Sequence, residues 1–242
     1  MIFVSLPHFI ANPICAFIPG DALRRRVRVI LCSPYVAQKL FIMRDAGVRY
    51  RDIKTKIGYR GRNLVMIAGK KYVYKFLTKS KRAYLCHRER IITDALRNAS
   101  PIHIPEMKIF DFRGVSARRY EYINGKTLPD LTDDEYNAHK LKLARTVANF
   151  IYSVACADPQ EIKYFKPNPK TKPSYMHGWW QGDICDNFMI DTTNYSVRAF
   201  IDWEDAVFND FSNIFTPRHH PRQRDFMALV AREYDKLYNK KK

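Results

Sequence analysis

The chain has no Cys-x-x-Cys pair: its five cysteines, Cys15, Cys32, Cys86, Cys156 and Cys185, are odd in number and far apart. That pattern indicates neither a zinc site nor a disulfide framework, so a reducing compartment is expected. No run reaches the ~18 consecutive apolar residues of a membrane span. Internal repeats are absent, and so are low-complexity tracts apart from the terminal lysines. Acids are scarce: 24 Asp and Glu face 42 Lys and Arg, a net charge of +18 over 242 residues. Such a charge favours anionic partners, whether nucleotide, anionic lipid, phosphorylated glycan or nucleic acid. No recognised nucleic-acid motif accompanies it, and the aromatics do not interleave regularly with the basic patches, so nucleic acid is not the expected partner. With 46% hydrophobic residues, the chain is long enough for one large domain or two small lobes sharing a cleft.

The opening stretch, residues 1–31, is apolar but broken by Pro7, Asn12, Pro13 and Pro19. No basic residue precedes its apolar part, as a secretory signal requires, so it is expected to be retained. Arg24, Arg25, Arg26 and Arg28 follow. Apolar bulk followed by arginines suits a segment lying on an anionic membrane surface. A segment packed on the domain with solvated arginines is the competing reading.

From Asp52 to Thr78 the text alternates and turns. IKTKI, a glycine-bearing turn GYRGRN, LVMIA, a tight GK turn and YVYKF predict a small antiparallel sheet. SKRAYLCHRERIITDALRNAS then predicts a helix with Leu85, Ile92 and Leu96 on one face and Glu89 among them, an inward carboxylate. IHIPEMKIFDFRG and ARRYEYINGKTL read as two further strands. Thr132, three residues before Glu135, predicts a capping box. The helix it opens carries Leu143, Val147, Phe150, Ile151 and Val154 as its apolar stripe. A closing helix is expected through Phe226, Leu229, Val230 and Tyr234. Three parts follow: residues 1–45 as the apolar and basic segment, 46–125 as a sheet lobe, and 126–242 as a helical lobe, the lobes joined near Asn124 and Gly125.

The chemistry is concentrated in QGDICDNFMID and AFIDWEDA. FMID and SVRAFIDW predict a β-hairpin turning at residues 192–195, which brings Asn187 within about two residues of the position opposite Asp202. An amide oxygen and a carboxylate side by side suit a hard cation such as Mg²⁺, and Asp183 just before them suits a general base. The alternative is that these polar residues serve caps and turns. Lys75 in YVYKF and the inward Glu89 add a cation that can meet both a buried carboxylate and a phosphate. A Lys75 that snorkels outward, with Glu89 paired to an arginine, competes with that reading.

Glycine turn, strand Lys, helix Glu, hinge strand, then GD…N and IDWE, in that order over roughly residues 50–215, resembles the protein-kinase-like fold, specifically its aminoglycoside phosphotransferase and choline kinase branch. The resemblance implies an α+β, two-lobed protein: a small antiparallel sheet plus one helix in the N-lobe, and a mainly helical C-lobe with a catalytic hairpin. It also implies an ATP- and Mg²⁺-dependent phosphotransferase. In it Asp183 is the catalytic aspartate, Asn187 and Asp202 are metal ligands, and Lys75 holds the phosphates with Glu89 orienting it. Gly58 and Gly61 lie in the turn over the phosphates, and the backbone near Glu121 and Tyr122 meets adenine. Two departures stand out. Gln181 replaces the family's His, and Asn187 follows Asp183 by four residues where the family has five. Gln181 is expected to brace the loop by hydrogen bonding. Asn187 is preferred as ligand over Asp186 because it directly precedes the strand.

Fold does not choose the acceptor. A basic chain, with Lys163, Lys166, Lys170 and Lys172 shortly before the catalytic loop, suits an anionic or membrane-associated acceptor better than a cationic antibiotic. The stretch PHFIANPICAFIPGDALRRRVR is similar to leading segments of some bacterial envelope-glycan glycosyltransferases. The expected acceptor is accordingly a sugar of lipopolysaccharide or a related surface glycan, with the protein cytoplasmic and peripheral at the inner membrane face. The alternatives are a kinase of a soluble small molecule (choline-like, fructosamine or aminoglycoside) and a pseudokinase binding module.

Overall fold

A computed structural model describes residues 8–32, 36–57, 63–77, 83–112, 115–157, 177–181, 183–210 and 221–240. The chain forms two compact units, 1–79 and 80–242. Gly58, Gly61 and the four lysines between 163 and 172 fall outside the described residues.

The first unit opens with helices α1 (His8–Ala16), α2 (Asp21–Cys32) and α3 (Val36–Ala46), followed by strands β1 (Ile53–Ile57), β2 (Asn63–Ala68) and β3 (Tyr72–Leu77). The three strands form the expected antiparallel meander, with Ile57 opposite Leu64 and Val65 opposite Lys75. Between β2 and β3 the GK turn places Gly69 at φ +54° and Lys70 at φ +58°. Two left-handed residues match the twist of the strands they join. On β3, Tyr74 and Phe76 point into the core while Lys75, between them, lies on the other face. The Tyr74 hydroxyl donates to Asp45 at 2.5 Å, and its ring packs edge-on to Phe41 of α3. The prolines of the first stretch do not prevent helix: Pro13 sits inside α1, where it forfeits one backbone bond.

The second unit contains α4 (Ala83–Arg97), β4 (Met107–Phe112), β5 (Val115–Glu121), α5 (Asp133–Ala155), β6 (His177–Trp180), β7 (Phe188–Ile190), β8 (Val197–Phe200), β9 (Val207–Asp210) and α6 (Pro221–Lys240). β4 pairs with β5, β6 with β9 and β7 with β8, all antiparallel. The Thr132 capping box forms: the Glu135 amide donates to the Thr132 hydroxyl at 3.2 Å, and the Thr132 amide donates to the Glu135 carboxylate at 2.8 Å. From that cap α5 runs 23 residues. Its whole predicted stripe is buried, packed with Phe226, Val230 and Tyr234 of α6 and with Phe188 and Phe200 of the hairpin.

Residues 80–125 gather with the second unit, because Ile92 and Leu96 of α4, together with Ile104, belong to the same core as α5 and the hairpin. The composition is the expected α+β one, an antiparallel meander followed by a mainly helical part with its hairpin.

β6 lies so close to the end of α5 that a Cβ on Gly178 would sit 2.6 Å from the Ala155 carbonyl oxygen and 2.7 Å from its Cα. Backbone cannot yield as a side-chain tip does. Gly178→Ala is expected to destabilise the fold by about 1–3 kcal/mol, read as a lower urea midpoint with unchanged slope.

Candidate active site

The hairpin β7–β8 pairs Phe188 with Phe200, Met189 with Ala199 and Ile190 with Val197, with an irregularity between Met189 and Ile190. Its interior is aromatic. Phe200 stacks on Phe150 of α5 with ring centroids 3.5 Å apart, and Phe188 stacks on Phe226 of α6 at 5.7 Å. Beyond the strands the Ile201 amide donates to the Asn187 carbonyl at 2.8 Å. Asn187 therefore sits opposite Ile201, one residue from Asp202, as the expected register requires. Asp202 itself has φ +59°, a left-handed conformation uncommon for residues other than glycine.

The turn lies where the sequence predicted. The Asp191 carboxylate accepts from the Thr193 hydroxyl at 2.7 Å and the Thr193 amide at 2.8 Å, and from Arg198 Nε and Nη2 at 2.8 and 2.5 Å. The hairpin is flanked on both sides. Lys126 exchanges two backbone bonds with Ile190, 3.0 and 2.7 Å, and the Phe200 amide donates to the His103 carbonyl at 3.0 Å. Beside that contact only glycine fits at 125, since a Cβ there would lie 2.5 Å from the Ile190 carbonyl oxygen. The segment after β5 is thus sewn to the β7–β8 hairpin. Glu121, at the end of β5, pairs its side chain with the His103 imidazole.

Gln181 is 2% exposed, and each end of its amide is used. Nε2 donates to the carbonyls of Ile201 at 2.9 Å and Asp202 at 2.5 Å, while Oε1 accepts from the Asp183 amide at 3.0 Å. One side chain ties the loop carrying Asp183 to the segment carrying Asp202, the bracing role expected of it. Residues Ile184–Asp186 form a single 3-10 turn, closed by the Asn187 amide donating to the Ile184 carbonyl at 3.2 Å. A 3-10 turn advances in three residues what an α-turn needs more for, so four positions carry the chain from Asp183 to Asn187. Ile184 and Cys185 are buried, whereas Asp183 is exposed. Burial, and after it the charges of Asp186 and Asp183, push the Cys185 thiol up to about 12, which keeps it protonated. Asp186, the second-choice ligand, accepts a bond from Gln223 of α6 at 2.9 Å.

Glu89 is 1% exposed, as the helix pattern predicted. Both of its oxygens are engaged. One oxygen takes the Arg118 guanidinium and the Tyr120 hydroxyl, the latter at 2.8 Å, and the other takes the Trp203 amide at 3.0 Å. Arg118, fully buried, also reaches Glu204 at 2.9 Å. Arg118, Tyr120 and Glu204 are participants that sequence reasoning missed. The available signal was an Arg inside a strand, in a chain whose inward Glu89 and whose IDWE motif each carry an acid needing a cation. Burial by itself would lower the Arg118 pKa, but the carboxylates of Glu89 and Glu204 outweigh it and hold the guanidinium protonated. Burial, then Glu89, pushes the Tyr120 phenol well up, so it remains a donor.

Among the described residues no three His, Cys, Asp or Glu side chains gather into a metal cage. Asn187 and Asp202, neighbours across the hairpin mouth, offer hard oxygen donors. That set fits Mg²⁺, which takes few protein ligands and leaves the rest to water and phosphate.

No protein-family model and no curated protein matches the sequence. Solved structures do match. The GDP complex of aminoglycoside 2'-phosphotransferase-IIIa aligns at TM-score 0.62 and 15% identity, over 80% of this chain and 82% of that one. The chain has the fold of these phosphotransferases. The kinase-like fold is shared also with the macrolide 2'-phosphotransferase MphH from Brachybacterium faecium, at TM-score 0.60 and 12% identity over 81% of each chain. A streptomycin–ATP ternary complex of APH(2")-IIa aligns at TM-score 0.59 and 12% identity, over 81% of this chain and 80% of that one.

Two predictions test the site's supports. Removing Arg118 leaves two buried carboxylates without their shared cation, so Arg118→Met is expected to cost about 3–5 kcal/mol of unfolding free energy. Arg118→Lys is not expected to restore it, because a compact ammonium does not reproduce the rigid planar fork with which the guanidinium meets both acids. The second concerns pH. The Thr193 hydroxyl and amide, and then Arg198, hold the Asp191 carboxyl down at about 2, below its ordinary value near ~3.9. A depressed carboxylate stabilises the fold fully above its unfolded pKa and loses that contribution as pH falls through its folded one. The melting-temperature difference between wild type and Asp191→Asn should hold steady above about pH 4 and shrink as the pH approaches about 2.

Proposed function

We propose that the chain is an ATP- and Mg²⁺-dependent phosphotransferase acting on a hydroxyl of an anionic envelope glycan, of which lipopolysaccharide is the type. The observation that carries this reading is the Gln181 brace: one buried amide joins the Asp183 loop to Asp202, in a chain with the kinase-like fold. Exposed Asp183 accepts the proton of the acceptor hydroxyl. As that oxygen bonds to the γ-phosphorus, the bond from phosphorus to the bridging β-oxygen breaks, and its electron pair leaves with ADP. Asn187 and Asp202 would hold Mg²⁺, whose charge offsets that of the phosphates. Lys75, on β3 of the first unit, takes the phosphate contact. Glu89 orients Lys75 and, through the Trp203 amide, fixes the backbone after Asp202. The backbone near Glu121 and Tyr122 takes adenine, and the turn containing Gly58 and Gly61 covers the phosphates. The acceptor class rests on electrostatics. A net charge of +18 repels cationic aminoglycosides and attracts phosphorylated sugars.

A thermal-shift series with ATP, with and without Mg²⁺, tests the nucleotide site. Saturating ATP with Mg²⁺ should raise the melting temperature of wild type by several degrees. Asp202→Ala should lose the metal-dependent part, and Asp183→Ala should keep it. Transfer of labelled γ-phosphate to purified lipopolysaccharide should fall about a hundred- to ten-thousand-fold in Asp183→Ala. Nucleotide binding indifferent to Mg²⁺, with no transfer, would reassign the chain as a binding module. Turnover confined to small soluble hydroxyl compounds would reject the glycan.

A further inference from the structure

The first unit carries charge and apolar surface that its own packing does not use. Residues 1–79 contain sixteen Lys and Arg against three acids, Asp21, Asp45 and Asp52, so thirteen of the eighteen excess positive charges lie there. The remaining 163 residues are close to balance, 26 basic against 21 acidic.

Helix α1 is oriented in an unusual way. The side it buries holds small residues, Ala11 and Cys15, both 0% exposed. Ile10 and Ile14, one turn apart, face out, 39% and 47% exposed, as do Phe17 just past the helix, 89%, and Leu23 at the start of α2, 52%. A helix that had only to pack would do the reverse. The turn presenting Phe17 and Leu23 is a built structure. Arg24 donates from Nε and Nη2 to the Ile18 carbonyl, both at 3.3 Å, and from Nη1 to Asp21 at 3.2 Å. Gly20, at φ +84°, reverses the chain, a conformation glycine adopts without steric cost.

We propose that the α1–α2 turn is a docking surface for an anionic lipid bilayer, with Ile10, Ile14, Phe17 and Leu23 entering the interface and the net positive charge of the first unit drawing it to the head groups. Charge complementarity selects this occupant. Apolar bulk at one tip, in a unit with thirteen net positive charges, matches a partner that layers anionic charge above an apolar interior. Neither feature alone gives stable attachment, and together they supply the two signals that peripheral anchoring needs. The inference is independent of phosphotransfer, since Ile10, Ile14, Phe17 and Leu23 have no part in that chemistry.

The test is flotation of the full chain, without nucleotide, with vesicles of phosphatidylcholine alone or mixed with phosphatidylglycerol, at low and high salt. Binding should be at least about tenfold stronger to the anionic vesicles and weaken with salt. The Ile14→Ser/Phe17→Ser double variant should lose about tenfold or more of it while its melting temperature stays within a degree or so of wild type, both side chains being exposed. Leu23→Ser alone should give an intermediate loss. Absence of binding to anionic vesicles, or equal binding by the double variant, would overturn the proposal. A dimer that dissociates in the double variant, in a chain that leaves vesicles unbound, would assign the patch to a second copy and overturn it equally.

Discussion

A guanidinium with no exposed surface, Arg118, lies between two carboxylates that are themselves buried, Glu89 on α4 and Glu204 in the IDWE segment. Stripping water from three charges is expensive, and mutual attraction repays the cost only when the partners are placed well and their remaining hydrogen bonds are satisfied. That requirement constrains everything around it. The second Glu89 oxygen is taken by the Trp203 amide, so the backbone immediately after Asp202 cannot drift. With Gln181 holding the Asp202 carbonyl from the other side, the left-handed Asp202 is fixed by neighbours whose own positions are over-determined. Strained residues persist only under such conditions. The network is therefore less an addition to stability than a device that gives one acid one position.

The same economy appears in the loop before the hairpin. Its spacing is one residue shorter than in the aminoglycoside phosphotransferase pattern, and a single 3-10 turn spans it, with Ile184 and Cys185 anchored in the core. Gln181 suits its position because an amide has a donor and an acceptor at one tip. Both are needed here: the acceptor meets the Asp183 amide and the donor meets two carbonyls on the opposite segment. The shortening and the replacement leave the two halves of the loop joined. Charge, meanwhile, is divided between the units. The acids that structure the second unit bring it near neutrality, while the first unit, with almost none, holds most of the excess.

Much of this architecture is legible in the order of the residues alone. Period-two alternation marks the meander, period-3.6 stripes mark α4, α5 and α6, and Thr132 with Glu135 marks where α5 begins. The hairpin register follows from counting back from its turn, and it puts Asn187 beside Asp202 because pairing on a two-residue period leaves few choices. What escapes has no local signature. Pro13 obscures α1, and β6 and β9, four residues each, are too short to declare a period.

By its own order the sequence determined the elements, the turn chemistry and the roster of acids, because these depend on neighbours along the chain. It showed Glu89 pointing inward without naming its partner. Tertiary structure decided that partner, choosing Arg118 from among 42 basic residues, and it decided that Ile10 and Ile14 of α1 face outward. Both are facts of burial, and burial is set by what the rest of the fold leaves room for.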